Sequence, residues 1–115
     1  MSDKCLFCRI IDRQIPATIV YEDSRTLAFT DINAQAPVHL LVIPKAHIAG
    51  AHALAPEDNE LVGHLFQVIA KLARDHGIAE DGYRVVTNSG PAAGQTVFHL
   101  HYHLIGGRDL SWPPG

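Results

Sequence analysis

Residues 96–105 carry three histidines at every second position. Their spacing and the apolar residues between them predict a β-strand, on which successive side chains point to opposite faces. His99, His101 and His103 are therefore expected on one face of a sheet. The opposite face is apolar and suits packing against a helix. It is formed by Phe98, Leu100, Tyr102 and Leu104.

Three imidazoles on one face are compatible with several kinds of chemistry. Burying them in a core would require partners for six ring nitrogens, which argues against a purely structural role. Two histidines at i and i+2 on a strand can share a zinc ion. Alternatively, one imidazole can act as a nucleophile while its neighbours stabilise charge and transfer protons. A binding face without chemistry is a third hypothesis, and the spacing alone leaves all three open.

Cys5 and Cys8 form a C-x-x-C motif near the start of the sequence. A redox role is not favoured, because such motifs normally follow a strand in a βαβ unit and none precedes this one. A disulfide is not expected in a reducing compartment. Two unconnected thiols in a short helix are the structural alternative. The motif also matches half of a tetrahedral zinc site, and the eight histidines of the chain can supply the other ligands.

Composition limits the class of protein. We expect one domain over residues 1–115, because a second core of ordinary size does not fit in this length. The net charge of −3 argues against a broad nucleic-acid interface. No apolar run approaches the ~20 residues that span a bilayer. The first residues lack the apolar segment of a signal peptide, so a cytoplasmic location is expected and no membrane partner is predicted.

The pattern of apolar residues predicts an α+β domain with a five-stranded, mostly antiparallel sheet, one long helix and a short N-terminal helix. The third strand is expected at the centre, since it is apolar on both faces. Between the fourth and fifth strands lies a loop of small residues, 88–94, where backbone amides can approach a ligand closely. The predicted strands are 19–22, 26–31, 38–43, 83–87 and 96–105, and the predicted helices are 5–13 and 56–76.

The long helix carries two apolar rows, which together are wider than the ~100° stripe that a surface helix needs for its own core. The second row either packs within the chain or meets another subunit, and the helix alone does not discriminate between these. The first row comprises Leu61, Leu65, Val68 and Leu72, and the second Val62, Phe66, Ile69 and Ala73.

The segment H-L-H-Y-H-L-I at 99–105 resembles the signature of the histidine-triad (HIT) nucleotide-binding family, in which three histidines alternate with apolar residues. Other motifs resemble the Hint branch of that family. They are F-C-x-I-I-x-x-x-I-P at 7–16, A-P-V-H-L-L-V-I-P-K-x-H-I at 36–48, and G-G-R followed by the C-terminal W-P-P-G. The resemblance covers essentially the whole chain and implies a HIT-like fold.

The resemblance also implies an enzyme, a nucleoside phosphoramidase. Such enzymes hydrolyse the P–N bond of purine nucleoside 5′-phosphoramidates, for example AMP or GMP linked to an amine or a lysine. The middle histidine of the triad, here His101, attacks the phosphorus, and water then cleaves the nucleotidyl-histidine. His103 is expected to contact the phosphate or the leaving group, His39 is a fourth histidine of the pocket, and His99 completes the catalytic group.

The family pattern further assigns nucleotide contacts. Asp31 and Ile32 match the positions beside the ribose and base, with Asp31 expected to hold the ribose hydroxyls. Thr96 stands where Hint relatives commonly carry serine, and residues 89–93 depart from the usual, more acidic sequence. The implied phosphate-binding residues are Asn88, Gly94, Gln95 and Thr96, together with His101 and His103.

Some HIT proteins with this cysteine pair hold a structural zinc ion. The implied ligands here are Cys5, Cys8, His47 and His99. In that case His99 is an orienting residue, and the chemistry itself needs no metal.

The C-terminal W-P-P-G segment implies a homodimer, because in Hint relatives it approaches the active site across the dimer. Two other functional classes remain: a non-catalytic nucleotide-binding or interaction module of the same fold, and a zinc-dependent hydrolase that uses the triad as ligands. His52, His64 and His76 match no chemical motif and are expected to be structural or solvated.

Overall fold

A five-stranded antiparallel sheet forms the centre of the protein. The computed structural model describes residues 5–115. The strands are β1 (Ile19–Glu22), β2 (Thr26–Thr30), β3 (Val38–Pro44), β4 (Tyr83–Val86) and β5 (Tyr102–Gly106). Their order across the sheet is β1-β2-β3-β5-β4, and every neighbouring pair is antiparallel. The predicted α+β class and strand number are confirmed, and β3 lies at the centre as expected.

The central strand β3 sends alternate side chains into two separate cores. Leu40 and Val42 pack with the long helix, whereas Leu41 and Ile43 pack with the N-terminal helix on the other face. This explains why the strand is apolar at nearly every position, since both of its faces are covered.

Helix α2 (Asn59–Asp75) covers one face of the sheet. A short 3₁₀ turn, Pro56–Asp58, precedes it, so the regular helix begins three residues later than predicted. Proline at the start provides a fixed φ and lacks the N–H that would have no partner there. The buried side chains of α2 are Leu65, Val68, Ile69, Leu72 and Ala73, which shows that half of the second apolar row packs within the chain.

The rest of that second row lies toward the surface. Phe66 is 44% exposed and makes an edge contact with Tyr102, with ring centroids 5.1 Å apart. Val62 is partly exposed. Within residues 5–115, neither helix combines the length and apolar character needed to cross a membrane.

Helix α1 (Leu6–Ile11) covers the opposite face of the sheet and is shorter than the predicted 5–13. Cys5 is its N-cap, and the Sγ atom of Cys5 accepts a hydrogen bond from the backbone N–H of Cys8 at 3.4 Å. The two cysteines thus lie on consecutive turns, with their sulfur atoms facing the same side.

The fifth strand is the largest departure from the sequence-based expectation. It begins at Tyr102 rather than at residue 96, and residues 96–101 are irregular. One reason is that β3 ends at Pro44, which has no N–H to continue the ladder. The chain turns instead to another segment, where the N–H of Leu100 donates to the carbonyl of Ile48 at 2.6 Å. Phe98, expected on the apolar face, is 46% exposed.

Leu65 in α2 is fully buried in the core between this helix and the sheet, so its substitution tests that core. Leu65→Ala should lower the free energy of unfolding by about 2–5 kcal/mol, because it removes apolar burial and leaves a cavity. Urea denaturation followed by far-UV circular dichroism measures this. Gln67→Ala, an exposed change on the same helix, is the matched control and should shift the free energy by about 0.5 kcal/mol or less. Equal effects would contradict the assigned core.

Candidate active site and metal cluster

His101 lies in the irregular segment before β5 with its ring orientation set by the backbone. Its Nδ1 lies 2.7 Å from the carbonyl oxygen of His99. A carbonyl only accepts, so Nδ1 carries a proton, and in the neutral ring the lone pair is on Nε2. The residue is 7% exposed, and its ring packs against the edge of Phe7, with centroids 5.1 Å apart. In its neutral form, His101 therefore presents the Nε2 lone pair from a ring held by one hydrogen bond and one aromatic contact.

His99 donates from Nε2, whereas His101 donates from Nδ1. Its Nε2–H donates to the carbonyl of Pro44 at 2.8 Å, which leaves the lone pair on Nδ1. That Nδ1 atom faces a cluster of three further donors: the Sγ atoms of Cys5 and Cys8, at 3.4 and 3.6 Å, and the Nδ1 atom of His47, at 3.2 Å. All four donor atoms lie within 4.8 Å of one another. His99 is fully buried, whereas His47 is exposed.

These four residues fit a structural zinc ion. Tetrahedral bonds of about 2.0 Å to nitrogen and 2.3 Å to sulfur separate neighbouring ligands by roughly 3.3–3.8 Å, close to the spacings here. The Pro44 carbonyl gives His99 the outer partner that orients a metal-binding imidazole. Without a cation, burial and the neighbouring Cys5 raise the pKa of the Cys8 thiol to about 11. A divalent ion supplies the charge that stabilises both sulfurs as thiolates.

His39 and His103 form a second arrangement, on the same side of the sheet as His101. In the register of β3 and β5, His39 pairs with Ile105 and so is diagonal to His103. The backbone N–H of Gln35 donates to Nδ1 of His39 at 3.0 Å, which places the proton of His39 on Nε2. His39 Nε2 lies 2.9 Å from Nδ1 of His103. His103 accepts there and carries its own proton on Nε2.

His103 is held in its neutral form. Burial, followed by the neighbouring His101 and His39, lowers the pKa of His103 to about 4, although Asp31 acts in the other direction. Burial also lowers the pKa of His99, against the opposing effect of its bond to Pro44. His103 can therefore donate a hydrogen bond in the pocket without carrying a full charge.

Asp31, His39 and His103 also lie within 4.8 Å of one another and resemble a metal-binding triad. The hydrogen bond from Gln35 argues against that role, because it occupies the Nδ1 lone pair of His39 and leaves Nε2 protonated. A metal needs the Nε2 lone pair. Within residues 5–115, no metal-type cluster joins all three triad histidines. The geometry therefore does not support a zinc hydrolase that uses the whole triad as ligands.

A pocket of about 430 Å³ opens beside His101 and His103. It brings together most of the nucleotide-contact residues expected from the sequence: Asp31, Ile32, Asn88, Gly94 and Thr96. Oδ1 of Asp31 accepts the N–H of Asn33 at 2.8 Å, and its Oδ2 lies 3.3 Å from Nε2 of His39. Ile32 is fully exposed at the rim. His39 does not line the pocket, but it contacts the pocket-lining residue His103.

Gln95 is not among the residues that line this pocket, and its expected contact with the phosphate stays a prediction. The residue is 5% exposed, and its side chain bonds only to backbone groups: its amide donates to the carbonyls of Ala49 and Val97, and its oxygen accepts from Gly90. The reason is that the loop closes over Gln95, so the side chain points into the protein.

The remaining pocket wall has features that motif spacing did not reveal. Besides side chains of the sheet and of the loop, the apolar side includes N-terminal residues to which the sequence assigned no individual role: Leu6, Phe7, Ile10, Ile15, Pro16 and Ala17. The motif at 7–16 was a signal that this segment matters, but its proximity to the pocket depends on the packing of α1. The carbonyls of His99 and Pro44 and the N–H of Gln35 are backbone groups, which carry no sequence signal.

Three histidines without expected chemistry make local contacts. His64 Nε2 lies 2.7 Å from Asp23 Oδ2, and His76 Nδ1 lies 3.0 Å from the carbonyl of Leu72. His52 Nδ1 lies 2.8 Å from Oγ of Ser89, which links the exposed side of the 88–94 loop to a neighbouring segment.

Comparison with known proteins agrees with this geometry. The HIT domain family matches residues 12–110. The chain belongs to the HIT family. The short N-terminal helix, which supplies both cysteines, lies just before the matched region.

Individual HIT proteins are similar over nearly the whole chain. A HIT family hydrolase from Legionella pneumophila is 50% identical, with a TM-score of 0.96, over 97% of this chain and 100% of that chain. A 14 kDa zinc-binding protein from Zea mays is 48% identical over 96% of this chain and 87% of its own length. A histidine triad nucleotide-binding protein from Candida albicans is 33% identical, with a TM-score of 0.82, over 96% of this chain and 83% of that chain. The predicted HIT family and HIT-like fold are confirmed, and the Hint branch stays a prediction.

The zinc cluster gives a direct test. Protein purified without chelator should contain about one zinc ion per chain by elemental analysis. Cys8→Ser should lose that zinc and lower the melting temperature, because it removes one of four ligands. His52→Ala, a histidine outside the cluster, should retain full zinc content. Wild-type protein without stoichiometric zinc would contradict the assignment.

The neutral state of His103 predicts a pH dependence. Its pKa of about 4 lies below the ordinary value of 6.5, so the unfolded chain takes up a proton first as the pH falls. Stability is therefore retained above about pH 6.5 and lost between pH 6.5 and 4. ¹H–¹⁵N NMR should show the His103 ring in its neutral form, with a proton on one nitrogen only, at pH 6, and His103→Gln should flatten this part of the stability curve. Protonation of His103 near pH 6.5 would contradict the proposed burial effect.

Proposed function

We propose that this HIT protein is a hydrolase that cleaves the P–N bond of purine nucleoside 5′-phosphoramidates, as in the Hint branch, with His101 as the nucleophile. The observation that carries the proposal is the bond from His101 Nδ1–H to the His99 carbonyl, which in the neutral ring places the lone pair on Nε2 of this pocket-lining residue. A neutral imidazole with a free lone pair is a competent nucleophile near pH 7.

The reaction has two balanced steps. In the first, the Nε2 lone pair of His101 forms a bond to phosphorus as the P–N bond to the leaving amine breaks. The departing nitrogen takes up a proton from solvent and leaves as an amine, and His101 carries the positive charge of the phosphorylated ring. In the second step, water attacks phosphorus and releases a proton to solvent, the bond to His101 breaks, and the nucleoside monophosphate is released with His101 regenerated as a neutral imidazole. The same two steps apply to AMP or GMP conjugates.

His103 is suited to assist both steps. The proton on its Nε2 is free to bond a phosphate oxygen or the leaving nitrogen, because its Nδ1 is occupied by His39. The chain from the Gln35 N–H through His39 to His103 fixes this tautomer, so no rearrangement of protons is needed before reaction. Preorganised donors of this kind lower the barrier because they need not reorient as charge develops.

The 88–96 loop is placed to bind the phosphate group. Asn88, Gly94 and Thr96 line the pocket, and Thr96 brings a hydroxyl. In the described part of the chain, the backbone amides of Thr96 and Val97 make no hydrogen bond to a protein acceptor, so they are available to phosphate oxygens. No lysine or arginine of residues 5–115 lines the pocket, which leaves charge stabilisation to amides, the hydroxyl and imidazoles.

The opposite end of the pocket suits a nucleoside. The unshared lone pairs of the Asp31 carboxylate can accept from the ribose hydroxyls. The apolar wall from α1 and the 15–17 segment, with Ile32 at the rim, suits a flat base held mainly by van der Waals contact. Such contacts favour a large purine ring and do not distinguish adenine from guanine.

The zinc cluster supports this site without entering the reaction. When bound, zinc ties Cys5, Cys8 and His47 to His99, and so restrains the residue whose carbonyl orients His101. We also propose a homodimer, with Val62 and Phe66 of α2 at the interface, because these apolar side chains remain at least partly exposed in the single chain.

Hydrolysis of an adenosine 5′-phosphoramidate by purified protein tests the function. His101→Ala should lower kcat by about 10³-fold or more, because no other group takes over the nucleophilic step. His76 does not line the pocket, and its ring contacts the Leu72 carbonyl of its own helix. His76→Ala should therefore retain wild-type activity. Mass spectrometry of acid-quenched wild-type protein should show a transient nucleotidyl adduct.

Other outcomes would identify the alternatives. Nucleotide binding without hydrolysis of any phosphoramidate would indicate a binding module. Activity that disappears on chelation and returns with zinc, without loss of folding, would indicate metal-dependent chemistry. Equal rates for wild type and His101→Ala would rule out the proposed nucleophile.

A further inference from the structure

Gln95 connects three separate stretches of backbone from a buried position. Its Nε2 donates to the carbonyl of Ala49 at 2.8 Å and to the carbonyl of Val97 at 3.1 Å, and its Oε1 accepts from the N–H of Gly90 at 2.8 Å. Its side chain thus uses both amide hydrogens and its oxygen. Since the residue is 5% exposed, water offers little compensation if any of these bonds is lost.

Two hydrogen bonds join Gln95 to Gly90 across the 88–96 loop. The backbone N–H of Gln95 donates to the carbonyl of Gly90 at 3.2 Å, and the N–H of Gly90 returns a bond to the Gln95 side chain. Inside this closed ring lies a short 3₁₀ turn, Pro91–Ala93, which ends at Gly94 with φ 92°. The two pocket-lining positions next to Gln95, Gly94 and Thr96, are therefore placed by how Gln95 is held.

The neighbouring segment provides room for this side chain. A Cβ atom on Gly50 would lie 3.1 Å from Nε2 of Gln95 and 2.8 Å from Cε1 of His52. A side chain at position 50 would therefore press on the buried amide. Because Gly50 has no side chain, the 48–54 segment can lie close enough to Gln95 for the bond to the Ala49 carbonyl. Through that bond, Gln95 links the loop to this segment.

We propose that Gln95 is a positioning residue for phosphate binding and turnover: through its buried amide it holds the 88–96 loop so that Gly94 and Thr96 face the phosphorus site. Its side chain acts from outside the pocket lining. The inference rests on the proposed phosphoramidase function, and it predicts that a residue outside the pocket controls the rate.

A second link between the same two segments serves as an internal comparison. Oγ of Ser89 accepts the backbone N–H of His52 at 3.1 Å and lies 2.8 Å from Nδ1 of His52. Both residues are exposed, so water can replace their bonds. The buried Gln95 link should therefore matter for the loop, and the exposed His52 link should not.

The experiment compares Gln95→Glu, Gln95→Met and His52→Ala in the zinc-loaded protein. Glutamate keeps the shape but, when ionised, faces the carbonyls of Ala49 and Val97 with no proton to donate. Methionine keeps the approximate volume without any hydrogen bond. Both changes should lower kcat/KM for the adenosine phosphoramidate by about 10-fold or more, since small displacements of reacting groups have effects of this size. His52→Ala should stay within about twofold of wild type.

The pH profile separates positioning from a general loss of stability. In Gln95→Glu, the protonated carboxyl group at position 95 can donate one hydrogen bond and accept another, which restores two of the three bonds of the native amide. The ratio of Gln95→Glu to wild-type kcat/KM should therefore rise as the pH is lowered from about 8 to about 5, whereas the ratio for Gln95→Met should stay flat. Hydrogen exchange of the Gly90 amide should be faster in both variants at neutral pH. A merely structural role would lower the melting temperature and leave the kinetics of the folded protein unchanged.

The experiment separates failure of the Gln95 positioning role from failure of the proposed phosphoramidase activity. Wild-type turnover with unchanged Gln95 variants overturns the positioning role and leaves the phosphoramidase standing. Absence of wild-type turnover, with AMP binding that weakens in both variants, overturns the phosphoramidase and keeps Gln95 as a loop-positioning residue. Wild-type protein that neither binds AMP nor hydrolyses the substrate overturns both. Failure of both variants to fold also overturns the positioning role, because Gln95 would then support the whole fold.

Discussion

The hydrogen bond from His101 Nδ1–H to the carbonyl oxygen of His99 joins the two halves of the site. On one side of it lies the cysteine–histidine cluster that holds the His99 ring, and on the other lies the open pocket. Any displacement of the backbone at residue 99 changes the direction of the His101 lone pair. The buried cluster and the sheet below it therefore matter for chemistry even though their atoms lie outside the pocket.

The remaining histidines are differentiated by their hydrogen-bond partners rather than by their position in the motif. Pro44 accepts from His99 and so frees the Nδ1 atom of His99 for a metal, whereas Gln35 donates to His39 and so places a proton toward His103. One backbone carbonyl and one backbone N–H thus decide which ring nitrogen carries a proton. Chemically identical side chains acquire different roles because a neutral imidazole has one donor and one acceptor.

The pocket combines an anion-binding loop with the absence, in the described part of the chain, of a lining lysine or arginine. Backbone amides and neutral imidazoles are directional donors, so their value depends on being held in place. This explains why so much of the surrounding structure is anchoring: Phe7 against His101, Thr87 Oγ1–H donating to the His101 carbonyl at 2.8 Å, and the buried amide of Gln95 under the loop. In such a site, hydrogen-bond donors held in fixed positions stabilise the phosphate in place of a cationic side chain.

Sequence periodicity predicted most of the fold. The two-faced apolar pattern of β3 identified the central strand, and the acidic start and glycine end of α2 located the long helix within three residues. The fifth strand was predicted too long because alternation of side chains continues through residues 96–101, whereas a strand also needs a partner with a free N–H. Pro44 in the neighbouring strand removes that partner, and this depends on a residue far away in the sequence.

By itself, the sequence determined the HIT family, the two sets of chemistry-bearing residues and the face shared by the triad, because these follow from residue type and local spacing. Tertiary structure decided which histidine offers a lone pair and which a proton, brought α1 against the pocket, and buried the side chain of Gln95 among backbone groups. These outcomes depend on backbone carbonyl and N–H groups. Such groups are the same in every residue except proline, and only folding determines which side chain they meet.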